Sequence, residues 1–225
     1  MERVLEPELM NDLEQAEVYA NADFEEPHRR VIELFDSEFP GIEIRGPIID
    51  LGCGPGDITF RFAKRFPGAT IIGVDGAATM IQLANQRKAR EKGVADKVQF
   101  VEGLIPEAAI PGGPYDLIVS NSLLHHLHRP NVLWETILNY AASGTKIFVA
   151  DLMRPASEKE AERLVNQYSG NEPEILKRDF YNSLLAAFKP AEVEQQLNGV
   201  GLSELAVKVV SDRHLIVYGS LHRQS

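Results

Sequence analysis

Short apolar runs alternate with amphipathic stretches along the middle of the chain. Each run has the length of a buried strand, and the stretches between them have helical spacing or are rich in turn residues. Strands that alternate with helices in this way form parallel sheets with right-handed crossovers. The pattern therefore predicts parallel strands at residues 47–51, 70–74, 97–101, 115–120 and 145–150.

The alternation is absent before the first of these strands and after the fifth. Residues 8–20 and 27–39 have the spacing of amphipathic helices, and two further helices are predicted at 158–168 and 174–188. A helix at 190–199 then precedes two strand-like runs, 204–210 and 214–218, whose short connection is typical of an antiparallel hairpin. We expect an N-terminal helical cap over residues 1–45 and one α/β domain over residues 46–225, with a helical insertion at about 156–190.

The composition narrows the class of protein. A chain of 225 residues with a net charge of −10 suits one globular domain and argues against a nucleic-acid partner, since phosphate binding usually needs a basic face. Cys53 is the only cysteine, which excludes an internal disulfide and a cysteine zinc site. The sequence contains neither an apolar run of roughly 18 to 20 residues nor a secretory signal, so the expected location is the cytoplasm, without membrane contact.

A glycine-rich turn is the most informative part of the chain. The first apolar run contains Asp50 near its end, and glycines follow at alternate positions before the amphipathic segment 58–66. This pattern predicts a buried strand, a tight turn and a helix N-terminus. Glycines allow a ligand to approach the main chain closely. Asp75 closes the next apolar run, where an acidic side chain in a doubly wound sheet reaches a ribose.

The glycine spacing distinguishes two ligand classes. Dinucleotide sites have the spacing G-x-G-x-x-G, whereas Gly52, Gly54 and Gly56 have the spacing G-x-G-x-G. Asp50, two residues before the first glycine, suits a cationic amino group rather than a phosphate. The stretch from Asp50 to Gly56 resembles the first motif, Asp/Glu-x-G-x-G-x-G, of the class I S-adenosylmethionine (SAM)-dependent methyltransferases. In that family the second strand also ends in an acidic residue, as it does here at Asp75.

That resemblance implies a Rossmann-like, doubly wound sheet of seven mostly parallel strands with a C-terminal antiparallel hairpin. It also implies SAM as the cofactor, a helical lid over the acceptor, and a tyrosine of the N-terminal arm near the methionine moiety. The residues that it assigns to the cofactor are Tyr19, Asp50, Gly52, Cys53, Gly54, Gly56, Asp75, Gly76, Met80, Gly103, Leu104, Ser120 and Asn121.

One of these positions departs from the family pattern. Leu104 stands where the family commonly has an aspartate that receives the adenine amino group. Because leucine cannot accept a hydrogen bond, the main-chain atoms of Gly103 and Leu104 would have to recognise adenine.

A histidine-rich segment follows the fourth predicted strand. The run from Asn121 to Leu127 resembles a segment of small-molecule methyltransferases, including those of quinone biosynthesis, in which a histidine lies near the acceptor. Because histidine titrates near neutral pH, His126 is our candidate general base, and His125 is the second candidate. The structural interpretation is that one of the two histidines only caps or packs the turn. We expect no metal site among His125, His126 and His128, because adjacent side chains diverge.

The sequence therefore predicts a SAM-dependent methyltransferase that acts on a small-molecule acceptor. Three alternatives remain: a methyltransferase acting on tRNA or protein, a nicotinamide-dependent oxidoreductase, and a non-catalytic SAM-binding or partner protein. After the fifth strand, Arg154 is either a ligand for an anionic substrate group or half of a solvated surface pair. The sequence is compatible with a homodimer but does not set the oligomeric state.

Overall fold

The predicted parallel sheet forms the centre of the computed structural model, which describes residues 1–9 and 12–222. Its strands are β1 (Ile48–Leu51), β2 (Ile71–Asp75), β3 (Val98–Glu102), β4 (Tyr115–Asn121), β5 (Ala141–Leu152), β6 (Ala206–Val209) and β7 (His214–Ser220). They lie in the order β3-β2-β1-β4-β5-β7-β6, and only β7 is antiparallel to its neighbours β5 and β6. The doubly wound, seven-stranded fold with a C-terminal hairpin is thereby confirmed.

The register brings the ends of three strands to one edge of the sheet. Leu51, the last residue of β1, pairs with Val74 of β2 on one side and with Ser120 of β4 on the other. The strand order reverses between β1 and β4, and open α/β sheets bind their ligands in the crevice at such a point. Asp50, Asp75 and Asn121, which lie at or near the ends of these strands, therefore meet at this crevice.

Helices cover both faces of the sheet. Ile48 and Ile49 point to opposite faces and belong to two separate apolar layers, one rich in phenylalanine and the other centred on Trp134. The helices are α1 (Leu13–Asn21), α2 (Glu25–Glu38), α3 (Asp57–Arg65), α4 (Ala78–Lys88), α5 (Asn131–Tyr140), α6 (Glu158–Ser169), α7 (Glu174–Ala186) and α8 (Pro190–Gly199). Among the described residues, no helix combines the length and the apolar character that a membrane span requires.

The helical insertion after the fifth strand is present as α6 and α7. Ser157 caps α6 by accepting a hydrogen bond from the N–H of Glu160 at 3.2 Å. The two helices pack against each other through Leu164, Val165 and Leu184. Together they form a separate small core beside the end of β5, at the same edge of the sheet as the crevice.

The start of the chain differs from the prediction. Helix α1 begins at Leu13 rather than at Glu8, after Asp12 accepts a hydrogen bond from the N–H of Gln15 at 2.9 Å. Residues 1–9 contain no helix and run beside α7, where the N–H of Val4 donates to the carbonyl of Leu185 at 3.1 Å. The rest of the predicted first turn, residues 10 and 11, lies outside the described residues. Contacts with distant residues here outweigh the local helical spacing.

Candidate active site

A cavity of about 1400 Å³ opens at the crevice edge of the sheet. The glycine turn, the ends of β2 and β4, helix α1 and the insertion helices all contribute to its wall. Pockets for single small ligands usually have about 300–1,000 Å³. The cavity therefore has room for a cofactor and an acceptor side by side.

The glycines of the turn after β1 have different roles. Gly52 and Gly54 have φ angles of +74° and +52°, a region that side chains rarely adopt. A Cβ atom on Gly52 would lie 2.7 Å from the Cβ atom of Leu123, whereas one on Gly54 would meet nothing within 4 Å. Gly52 is thus required by packing, and Gly54 leaves open space at the cavity wall.

Asp50 presents an unpaired carboxylate oxygen. The residue is 1% exposed, and its Oδ2 atom accepts a hydrogen bond from the hydroxyl of Thr59 at 2.6 Å. Its Oδ1 atom has no hydrogen-bond partner among the described residues. Burial, with a smaller contribution from Asp75, raises the pKa of Asp50 to about 7. A buried carboxylate in this state calls for a cationic partner.

Asp75 ties the end of β2 to the glycine turn. Its Oδ2 atom accepts a hydrogen bond from the N–H of Gly54 at 2.8 Å, and its Oδ1 atom accepts one from the N–H of Ala77 at the same distance. Burial raises the pKa of Asp75, while these two bonds favour the ionised form. Each oxygen retains a further lone pair for a ligand hydroxyl.

The far end of the cavity has an apolar wall. Met80 and Ala77 are buried and pack with Tyr19 of α1. Two of the main-chain groups predicted for adenine recognition are already engaged: the N–H of Gly103 donates to the carbonyl of Asp75, and the carbonyl of Leu104 accepts from Ala108. Any main-chain recognition of adenine here must therefore use the remaining groups of these two residues.

Two residues predicted to bind the cofactor do not line the cavity. Ser120 is 2% exposed and donates its hydroxyl hydrogen to the carbonyl of Leu51 at 2.8 Å, which joins β4 to β1. Gly56 lies against the rings of Phe100 and Phe60 at the start of α3. The predicted residues that do line the cavity are Tyr19, Asp50, Gly52, Cys53, Gly54, Asp75, Gly76, Met80, Gly103, Leu104, Asn121, His125 and His126.

The two adjacent histidines lie on a short 3-10 helix, Leu124–His126, and their rings are in contact. The ring centroids are 4.1 Å apart, so the expectation that the side chains diverge is wrong. The Oδ1 atom of Asp151 lies 2.5 Å from Nδ1 of His125 and fixes its ring. The Oδ2 atom of Asp151 accepts a hydrogen bond from the N–H of Leu124 at 2.8 Å. The tight turn after Ser122, which has a φ of +58°, brings both rings to the cavity.

The histidines differ in exposure and charge. The side chain of His125 is 3% exposed and that of His126 is 25% exposed. Burial acts to lower the pKa of His125, but the charge of Asp151 and its hydrogen bond outweigh burial and raise it. Burial and the neighbouring His125 lower the pKa of His126 to about 3. His126 is therefore neutral near pH 7.

Glu6 completes this cluster, although no sequence pattern predicts its place there. Its Oε1 atom lies 3.2 Å from Nδ1 of His126 and 3.7 Å from Nε2 of His125, and its Oε2 atom accepts a hydrogen bond from Ser183 at 3.3 Å. Burial raises the pKa of Glu6. Arg3 holds the segment in place by donating to the carbonyl of His125 at 2.8 Å.

Arg154 does not line the cavity. Its guanidinium is buried, forms an ion pair with Glu192, and donates to the carbonyl of Ala187 at 3.1 Å. Both expectations for Arg154, an anion ligand in the site and a solvated surface pair, are therefore wrong. The side chain instead joins the end of β5 to the start of α8.

The insertion helices present part of their inner surface to the cavity. Tyr168 of α6 and Phe180 of α7 line it, whereas Tyr181 packs in the small core between the helices. The hydroxyl of Tyr168 donates to Asp212 in the β6–β7 turn at 3.0 Å. Gln15 of α1 donates to Asp179 of α7 at 2.7 Å. The insertion is thus joined to the sheet on one side and to the N-terminal helix on the other.

Comparison with known proteins identifies the family. Residues 44–195 match the family model described as "Methyltransferase domain". Trans-aconitate 2-methyltransferase of Deinococcus radiodurans is 36% identical over 92 residues, which is 39% of this chain and 32% of that protein. The chain spans about a third of the length of the first curated relatives that it matches.

Solved structures share the fold. A Methanococcus maripaludis protein proposed to be an S-adenosyl-L-methionine-dependent methyltransferase superposes with a TM-score of 0.71 at 20% identity, over 99% of both chains. A plantazolicin methyltransferase in complex with S-adenosylhomocysteine (SAH) has a TM-score of 0.64 at 16% identity, over 94% of this chain and 96% of that one. By its motif, its sheet order and the matched domain, the chain belongs to the class I SAM-dependent methyltransferases, and SAM is its cofactor.

Proposed function

We propose that the protein transfers a methyl group from SAM to a small-molecule acceptor held in the same cavity. The observation that carries this proposal is the buried, unpaired Oδ1 atom of Asp50 at the cavity wall. An ammonium group such as that of the methionine moiety satisfies this atom, whereas a phosphate would be repelled. The residues present therefore fit SAM.

The remaining contacts follow from the shape of the cavity. Asp75 has free lone pairs for the ribose hydroxyls, and Gly54 leaves space where the main chain meets the ligand. Ala77 and Met80 form the apolar wall suited to a purine ring. Tyr19 packs on the same wall and closes it from the side of α1.

The cofactor supplies an activated methyl group, so the protein must align the acceptor and keep the site dry. Alignment of two reactants can contribute about 7–11 kcal/mol to lowering a barrier. We propose that α6 and α7, within the segment 156–190, form the lid and that residues 1–45 form a cap. The hydrogen bonds from Gln15 to Asp179 and from Tyr168 to Asp212 support this arrangement by fastening the helices around the cavity.

An acceptor hydroxyl or protonated amine must also lose a proton, and we propose that His126 accepts it. His126 is the more exposed of the two histidines that line the cavity, and its pKa of about 3 leaves it neutral near pH 7, with a free ring nitrogen but as a weaker base than an ordinary histidine. Glu6, 3.2 Å from its Nδ1 atom, is placed to stabilise the imidazolium that forms. Asp151 holds His125 as a fixed neighbour, so His125 positions the ring of His126.

The proposal is tested by incubating the protein with SAM carrying a labelled methyl group and a panel of small acceptors. Because a curated relative is a trans-aconitate 2-methyltransferase, carboxylic acids such as trans-aconitate are the first to include. We expect label transfer to at least one acceptor, and loss of transfer in the Asp75→Asn variant. SAM binding without transfer to any small acceptor, but with transfer to a protein or tRNA, would contradict the proposed acceptor class.

A further inference from the structure

Glu6, His125 and His126 bring three potential metal-ligating atoms close together. Glu6 Oε1 lies 3.2 Å from His126 Nδ1 and 3.7 Å from His125 Nε2, and each of the three residues offers one ligand atom within 4.8 Å of those of the other two. Ligand atoms bound tetrahedrally to Zn²⁺ at about 2.0–2.1 Å are separated from each other by about 3.3 Å. The 3.2 Å separation of Glu6 Oε1 and His126 Nδ1 matches that spacing, and the 3.7 Å separation of Glu6 Oε1 and His125 Nε2 is slightly longer.

Two of the three atoms have no hydrogen-bond partner among the described residues. Glu6 Oε1 and His126 Nδ1 are buried and lack hydrogen-bond partners, although they face each other at 3.2 Å, because that contact lacks hydrogen-bond geometry. The side chain of Glu6 is only 10% exposed. Buried polar atoms in folded proteins nearly always have a partner. A cation between the carboxylate and the two rings would supply one to both atoms.

The surrounding groups orient these ligands. Asp151 lies 2.5 Å from His125 Nδ1 and accepts its hydrogen, so that in the neutral ring the lone pair is on Nε2, the atom nearer to Glu6. Histidines that bind metals usually donate their other N–H to a carboxylate or carbonyl in this way. Ser183 donates to the second oxygen of Glu6 at 3.3 Å and so leaves Oε1 to face the rings.

We propose that Glu6, His125 and His126 form a binding site for one divalent transition-metal ion, with Zn²⁺ the best match to two imidazoles and one carboxylate. The site joins the N-terminal segment to the cavity wall. This differs from the expectation of no metal site, which assumed that the adjacent histidine side chains diverge.

The consequence for catalysis rests on the proposed function. An ion bound at Nδ1 of His126 leaves the ring proton on Nε2, so the ring can donate a hydrogen bond but can no longer accept a proton. Occupancy of the site should therefore slow methyl transfer to a hydroxyl or amine acceptor. The ion would act as a reversible inhibitor of the same site.

The test is calorimetric titration of untagged, EDTA-treated and dialysed protein with Zn²⁺ alone, with the bound metal measured after dialysis. We expect one ion per chain, and at least tenfold weaker binding for Glu6→Gln and His126→Gln, on the scale of altered metal sites. Glu2→Gln, the same change at an exposed position of the same segment, should bind as the wild type does. Equal binding by wild type and Glu6→Gln would overturn the site.

Two further measurements guard against misfolding and separate the proposals. Zn²⁺ should raise the melting temperature of the wild type and Glu2→Gln, but not of Glu6→Gln, whose metal-free melting temperature reports its folding. If Glu6→Gln does not fold, the His126→Gln titration decides. SAH binding and methyl transfer in EDTA test the proposed function without the metal. An absence of zinc binding in protein that methylates an acceptor would overturn the metal site alone.

Discussion

The carboxylate of Asp75 accepts a hydrogen bond from the main-chain N–H of Gly54, with 2.8 Å between Oδ2 and the nitrogen. This bond connects the end of β2 to the turn that follows β1. The group suited to ribose and the turn suited to the methionine end are therefore held in a fixed relation before any ligand binds. Such preorganisation reduces the entropy cost of binding.

Replacing Asp75 by Asn should weaken the binding of SAH by more than tenfold. The amide retains the shape, but it loses the charge and turns an N–H₂ group toward one of the two main-chain donors. Asp116→Asn is a matched control, since Asp116 accepts from the N–H of Gly46 at 3.1 Å near the start of β4. Equal SAH dissociation constants for wild type and Asp75→Asn would refute the role of Asp75.

The raised pKa of Asp50 predicts that cofactor binding depends on pH. Burial raises this pKa to about 7, and an ammonium partner binds the ionised form. SAH affinity should therefore increase with pH by up to about tenfold per unit below the pKa and level off above it. Asp50→Asn should bind weakly with a flat profile between about pH 5 and 8. A wild-type profile as flat as that of the variant would contradict the assignment.

The same shift predicts the opposite trend for the stability of the ligand-free protein. The folded-state pKa of Asp50 lies above its ordinary value of 3.8, so the folded state favours the protonated form. The stabilising contribution of Asp50 is then complete below about pH 4 and is lost as the pH rises through about 7. As the pH rises over this range, the melting temperature of the wild type should fall relative to that of Asp50→Asn.

Two glycine variants distinguish a glycine needed for packing from one needed for room to bind the cofactor. Gly54→Ala meets no atom within 4 Å, so it should fold with a loss of about 1–2 kcal/mol for its left-handed backbone and should bind SAH much more weakly. Gly52→Ala meets Leu123 at 2.7 Å and should lose more stability. Denaturant unfolding and SAH titration measure both effects. Wild-type SAH affinity in Gly54→Ala would show that no ligand lies on the turn.

His126→Gln should reduce the turnover rate with a hydroxyl or amine acceptor by about 10²–10⁴-fold, the usual contribution of a general base. The dissociation constant of SAH should stay close to that of the wild type, because the proposed role of His126 is toward the acceptor rather than the cofactor. His222→Gln, at an exposed position, provides the control. A parallel loss of SAH affinity in His126→Gln would indicate a structural role instead.

The cavity-lining residues at the proposed cofactor end were predictable because they are encoded in short stretches of chain. Asp50, the turn glycines and Asp75 follow directly from two strands and the connections after them, and parallel strands must bring their ends to one edge. Ser120 was assigned to the cavity by the same reasoning, but it is buried and its hydroxyl bonds to the carbonyl of Leu51 on the neighbouring strand. At the end of a strand, a shift of one residue in the assignment can therefore replace a cavity-lining side chain by one that only joins two strands.

The proposed acceptor end depends on contacts between distant parts of the chain. Glu6 meets the histidines only because Arg3 and Val4 bond to the 3-10 helix and to α7. Nothing in the local sequence distinguishes Glu6 from the exposed Glu2 or Glu8. The convergence of His125 and His126 likewise depends on the left-handed Ser122 and on Asp151, which lies on another strand. Such tertiary relations have no periodic signal in one sequence.

Calorimetric titration with SAM and SAH, using NAD as the control ligand, tests the central claim most directly. The account predicts micromolar or tighter binding of both SAM and SAH at one site per chain, abolished or strongly weakened in Asp75→Asn, and no binding of NAD. Binding of NAD alone, or SAH affinity that is indifferent to Asp50 and Asp75, would contradict the account.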